Sequence, residues 1–193
     1  MTMGDYSLDL PLIQSDSIDA TSFNRHYLPE LASLWHQEYS IFGSLDFESP
    51  DARRPGSDAT RTRLFRRLIT AVAKQSPVHN RNLDYFVTDE WSDAREKHLH
   101  FLVRKHPRIE SNIDAVLYSF KDVWENQLRA GHCVVKPYIP ALRGVDYVCK
   151  RQYADGQELQ KNPHCNRAFH ERMVRDREEG RTPELKFDFN CRN

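Results

Sequence analysis

Two periodicities divide the chain. Between Ala59 and Gln75, Leu64, Leu68, Ala71 and Val72 recur at helical spacing and Phe65 and Ile69 widen the stripe, which predicts a helix. Arg61, Arg63, Arg66, Arg67 and Lys74 fall on its other sides, and Asp58 is placed to cap its start. A second amphipathic helix is predicted from Ile113 to Leu128 through Ile113, Val116, Leu117, Phe120, Val123, Trp124 and Leu128, with Gly131 just past its end. Elsewhere the pattern alternates. Leu83 to Trp91 and Lys97 to Arg104 read as two strands joined by the polar turn Ser-Asp-Ala-Arg-Glu. Ile41, Leu45 and Phe47 suit an earlier strand, in which Gly43 marks a bulge or a close approach by another group. His132 to Ile139 gives a fourth strand, placed at an edge by Pro137. Ala141 to Tyr153 reads as a third helix weakened by Gly144, and Leu28 to Trp35 as a short helix with Pro29 in its first turn. The Pro, Gly and Ser content of residues 49–58 predicts a loop.

The order is β-α-β-β-α-β followed by a helix. The expected class is therefore α+β: a split βαββαβ antiparallel sheet, ferredoxin- or RRM-like, with helices on one face, the other face open, and a C-terminal tyrosine-bearing helix. An open face must hold either a ligand or more protein. Three segments follow from this reading: an acidic, partly helical lead-in over 1–38, a working domain over 39–153, and a charged extension over 154–193 with few apolar residues. In that extension Glu184 to Phe189 reads as an added strand or an unstructured tail.

Composition changes the picture in one respect. The formal net charge is zero over 193 residues, yet residues 1–50 hold eight acids and only Arg25 as a base, a net of −7, so the remainder carries +7. A basic working domain behind an acidic segment suits a polyanionic partner. No apolar run approaches the ~20 residues needed to span a bilayer. The start, Met-Thr-Met-Gly-Asp, lacks the basic and apolar stretches of a signal peptide, so an intracellular, cytoplasmic location is expected. Cys133, Cys149, Cys165 and Cys191 form no CxxC pair and are read as reduced thiols.

The sharpest chemical signal is His98-Leu-His100. Strand alternation puts both imidazoles on one face, ~6.5 Å apart along the strand, and turns Leu99, Phe101 and Val103 to the core. Imidazoles at that separation can converge on a divalent metal. Glu90 ends the preceding strand on the face shared by Phe86 and Thr88, and the hairpin brings it beside both histidines, while Asp89 alternates to the other face. Two imidazoles and a carboxylate leave positions open for a phosphate oxygen. Tyr147 and Lys150, three apart, share a helical face; a phenol can act as a covalent nucleophile and a nearby ammonium can bind phosphate or favour the phenolate, the alternative being a packing tyrosine and a surface lysine. Tyr153 is a weaker second hydroxyl because it leaves that face. His164, Cys165 and His170 fit no zinc spacing, and Trp35, Trp91 and Trp124 read as packing residues.

These elements, in this order, resemble the HUH endonucleases, specifically the single-tyrosine rolling-circle replication initiators (Rep proteins). Phe42-Gly-Ser-Leu-Asp-Phe47 is similar to the family's first motif, F-x-T-L-T-F, with Ser44 and Asp46 in place of the threonines. His98-Leu-His100-Phe-Leu-Val, Glu90 and Tyr147-Val-Cys-Lys150 match the remaining motifs, and the likeness covers roughly 39–153. The resemblance implies Mg²⁺ or Mn²⁺ at Glu90, His98 and His100. It also implies attack by Tyr147 on a single-stranded or hairpin origin DNA to give a 5′-phosphotyrosine and a free 3′-hydroxyl, with Lys150 steadying the phosphate or the phenolate. Ser44 falls in the DNA-positioning motif, and Arg53, Arg54, Arg61 and Arg63 are the candidates for a phosphate track. No GxxxxGK[ST] occurs, so unwinding and extension fall to a separate helicase and polymerase. A single-tyrosine transposase or a relaxase shares this chemistry. A non-catalytic RRM-like nucleic-acid-binding module is the expectation from another class.

Overall fold

A computed structural model describes residues 32, 35–53, 58–76, 83–92, 95–148, 153–154, 157–158 and 164–181. It is an α+β structure built on a five-stranded antiparallel sheet. In chain order the elements are β1 (Tyr39–Asp46), α1 (Pro50–Arg53), α2 (Asp58–Gln75), β2 (Tyr85–Ser92), β3 (Arg95–Arg104), α3 (Pro107–Glu110), α4 (Ile113–Asp122), β4 (Cys133–Pro137), α5 (Gly144–Val148), β5 (Tyr153–Ala154), β6 (Gln157–Glu158), β7 (His164–Cys165) and α6 (Arg167–Glu178). The sheet runs β4-β1-β3-β2-β7, and β5 and β6 form a separate two-stranded pair.

Strand alternation sorts side chains into two cores. On one face Leu45 and Ile41 of β1, Val87 and Tyr85 of β2, and Leu99, Phe101 and Val103 of β3 pack against Phe65, Leu68 and Val72 of α2 and Val116 and Phe120 of α4. Gly43 sits here for a steric reason: a Cβ would enter the Phe101 ring, so the expected close approach is an aromatic ring. The irregularity in β1 lies instead between Tyr39 and Ile41. On the other face Tyr39, Phe86 and Leu102 meet Trp35, Tyr138, Val145 and Val148, and Phe169 and Met173 of α6. That face is half covered rather than open.

Several elements differ from the sequence reading, each for a local reason. The predicted helix over 141–153 is instead a 3₁₀ turn (Pro140–Leu142) and the short α5. Arg143 breaks it in the left-handed region at φ 45°, and Tyr153 lies in β5 rather than on the tyrosine-bearing helix. The helix from Ile113 widens into a π-turn over Val123–Gln127. The left-handed residue after it is Arg129 (φ 48°), whereas Gly131 (φ 148°) packs where a Cβ would strike the Asp46 carbonyl. Residues 50–53, expected as loop, make the helical turn α1. After residue 154, β7 extends the sheet from β2, and α6 follows. Asn166 joins these segments to the sheet: its Oδ1 accepts from the Tyr85 amide at 2.9 Å and its Nδ2 donates to Asp84 Oδ1 at 3.0 Å. Trp35 and Trp124 are buried packing residues, as expected. The expected tail strand over 184–189 lies outside the described residues, as does most of the short helix expected at 28–35. No helix among the described residues is long and apolar enough to cross a membrane.

Candidate functional site

The half-covered face brings the sequence-selected histidines and tyrosine together. On β3, His98 and His100 point away from Leu99, and their rings lie 4.6 Å apart, nearly perpendicular at 83°. His100 is only 3% exposed. Tyr147 approaches from α5, its ring 4.8 Å from that of His100 and edge-on at 78°. It remains 41% exposed, so its hydroxyl-bearing ring borders solvent while one edge is set by the imidazole.

Register across the sheet places further residues in rows. Thr88, His100, Ser44 and Val134 lie side by side on β2, β3, β1 and β4. One row further along, Glu90, His98 and Asp46 are neighbours. An acidic residue therefore stands on each side of His98. The Glu90 side chain, Arg54 and Lys150 lie outside the described residues. Asp46 was noted in the sequence only as a departure from a motif threonine. Its parity with Ser44 and Phe42 was the signal that put it beside the histidines.

A pocket of about 490 Å³ opens beside this cluster. His100, Tyr147 and Ser44 form part of its lining. Phe42 also lines it, 6.1 Å from the Tyr147 ring and 6.2 Å from His100, with the Lys136 ammonium 5.2 Å over its face. Ile139 and Leu142 line it as well, with exposed apolar side chains. Aromatic faces with one ammonium suit a planar, anion-bearing ligand. Phe42 opens the segment likened to the first motif, whereas Lys136 carries no signal in the sequence, because a lone lysine in a strand has no spacing pattern.

Two hydrogen bonds seat the tyrosine-bearing helix. Thr88, fully buried, donates from its hydroxyl to the Val148 carbonyl at 3.0 Å. The Val145 amide donates to the Tyr138 hydroxyl at 3.4 Å. A five-residue helix has little stability of its own, so these contacts and the burial of Val145 and Val148 set where Tyr147 stands.

The arginines expected along a phosphate track separate. Arg61 is the clear correction: it is 2% exposed, and its Nε donates to Asp89 Oδ2 at 2.6 Å while Nη1 donates to the Ala52 carbonyl at 2.9 Å. This is a buried ion pair of the first core, closed to solvent and to DNA. Arg53 is half buried and donates to the Phe47 carbonyl. Arg63 is exposed on α2, behind the sheet from Tyr147. None of these three lines the pocket; Lys136 does.

For a divalent ion, the observed donors are two imidazoles on adjacent positions of one face. That pair fits a transition ion in chemistry, and a carboxylate from the flanking row is the donor a harder ion requires. Among the described residues no three His, Cys, Asp or Glu side chains are grouped as a metal site. Elsewhere, burial pushes the thiols of Cys133 and Cys165 up to about 12, which keeps both protonated and unreactive. Burial also lowers the pKa of His170. No protein-family model matches the chain, and no curated protein or solved structure matches it either.

Proposed function

We propose that the protein is a metal-dependent DNA strand transferase of the HUH type, which nicks and rejoins single-stranded or hairpin DNA through Tyr147 and so initiates rolling-circle replication. The four strands β4-β1-β3-β2 with α2 and α4 are then the split βαββαβ unit, and α5 is the tyrosine-bearing helix. The observation that supports this reading best is the placement of Tyr147 against His100, on the sheet face where His98 and His100 lie together.

The chemistry follows from what each residue offers. His98, His100 and Glu90 would hold a divalent cation such as Mg²⁺ or Mn²⁺, which would supply polarisation of the scissile phosphate and offset of its transition-state charge. Tyr147 Oη attacks phosphorus in line and loses its proton to solvent; the bond from phosphorus to the 3′-oxygen breaks, and that oxygen takes a proton from solvent to leave as the free 3′-hydroxyl. The product is a phosphotyrosine that keeps the energy of the phosphodiester, so the same residues run the step backwards without ATP. A tyrosine of pKa ≈ 10 is mostly protonated at neutral pH, which gives Lys150 its role beside the phosphate or phenolate. The base next to the break stacks on Phe42, and Lys136 meets its phosphate.

The test is mass spectrometry of the protein after incubation with single-stranded DNA and Mn²⁺. A tyrosine-linked oligonucleotide on Tyr147 is expected, and Tyr147→Phe abolishes it. Adduct on the Phe variant would show that another nucleophile acts.

A second reading, a non-catalytic RRM-like module, draws on Phe42, which stands on a central strand of the exposed face as such modules require. It predicts single-strand binding that survives Tyr147→Phe and His98→Ala unchanged, with no covalent product from either.

A further inference from the structure

Behind the sheet, the outer face of α2 forms a groove of about 850 Å³ against the π-turn that follows α4. Arg63, Arg66, Arg67 and Lys74 line it together with Thr62 and Thr70, and among the described residues its lining contains no acid and no aromatic. All four cations are exposed. A reciprocal amide pair, Gln75 to Gln127 at 2.7 Å and Gln127 to Gln75 at 3.0 Å, ties the end of α2 to the π-turn. The groove lies across the sheet from Tyr147, because α2 covers the face to which Leu99 and Phe101 point.

We infer that this groove docks the sugar-phosphate backbone of double-helical DNA. The site of the preceding subsection takes single-stranded DNA, so this inference shares its class of partner but concerns a separate surface and a separate form of the ligand. Four observations favour a duplex. From residue 63 to residue 74 the stripe runs about 16 Å along the helix axis, long enough to follow consecutive phosphates of one strand. Three of its four cations are arginines, whose planar forks match phosphate oxygens in pairs, and the threonine hydroxyls add neutral donors. Among the described residues the lining holds no aromatic, so it offers unpaired bases none of the stacking that single-strand binding uses and a duplex does not need. The apolar lining is two alanines and one leucine, too little to anchor an acidic peptide through a hot spot.

The experiment is fluorescence anisotropy of the full chain with a labelled duplex of random sequence, across a series of salt concentrations. The variant is the triple Arg63→Gln, Arg67→Gln, Lys74→Gln, at exposed positions that leave the cores untouched. Each lost phosphate contact removes about 0.9 from the slope of log K against log salt, so the triple variant flattens the slope by about 2.7. At least a tenfold loss of duplex affinity is expected near physiological salt. Removing three exposed cations elsewhere, by Lys105→Gln, Arg108→Gln and Arg175→Gln, leaves the slope within about one unit of wild type. Covalent attachment of a short single-stranded oligonucleotide at Tyr147 is unchanged in the triple variant, which separates this inference from the strand-transfer reading. An unchanged slope in the triple variant overturns the inference. So does an equal loss in the control, or displacement of the duplex by polyglutamate at lower charge concentration than by unlabelled duplex.

Discussion

The two faces of one strand differ more than any two domains need to. On β3, Leu99, Phe101 and Val103 enter a core closed by α2 and α4, whereas His98 and His100 look out on the opposite face beside an exposed tyrosine. The closed face also buries charge, the Arg61–Asp89 pair, yet that charge is spent on architecture. The half-covered face keeps the Tyr147 ring next to solvent beside a buried imidazole, where a ligand can meet it. Residue type alone does not separate the two roles; the partner that each side chain meets across the sheet does.

Breaking the closed face should produce the largest effect. Arg61→Met leaves the Asp89 carboxylate buried among apolar neighbours, and removing one partner of a buried pair costs about 3–5 kcal/mol. Urea denaturation should show that loss. His98→Ala, on the other face, should leave the midpoint close to wild type while abolishing DNA attachment. A comparable fall in both variants would mean that the faces are not functionally divided.

Thr88→Val sharpens the comparison at intermediate cost. It removes the hydroxyl bonded to the Val148 carbonyl and leaves a buried acceptor to be satisfied, a loss of about 1–3 kcal/mol. If Thr88 positions α5, covalent attachment through Tyr147 slows at least tenfold while single-strand affinity changes less than threefold. Equal losses in rate and affinity would give Thr88 a structural role only.

The smallest effect comes from the closed face in alkali. The Cys133 thiol, raised by burial from 9.0 to about 12, holds its proton more tightly folded than unfolded. Its contribution is therefore complete below about pH 9 and is lost as pH climbs toward 12. Cys133→Val should flatten the decline in stability between pH 8 and pH 10.5 measured by urea midpoints, with little change at pH 7. An unchanged alkaline slope would assign the decline to other groups.

Much of this arrangement was legible in the chain. Alternation along 97–104 sorts histidines from core residues because a strand's side chains must take opposite faces, and no later packing can undo that. The same rule assigned Thr88 and Glu90 to one face and Asp89 to the other. Even the correction at Arg61 had a signal: residues 61, 65, 68 and 72 share one helical face, so an arginine one turn before Phe65 enters the core with it. The C-terminal helix was less legible, since Phe169 and Met173 are a short apolar stripe among dense charge.

Amino-acid order by itself determined which face of each strand is polar, where α2 and α4 run, and which imidazoles are neighbours, since these follow from backbone periodicity. Tertiary structure alone decided that Asp89 meets Arg61 from 28 positions away. It also decided that α5 is short and seated by Thr88, that α6 and β7 close half of the second face, and that Lys136 stands over Phe42. Those contacts join segments distant along the chain, and the burial and charge balance that select them exist only once the sheet has assembled.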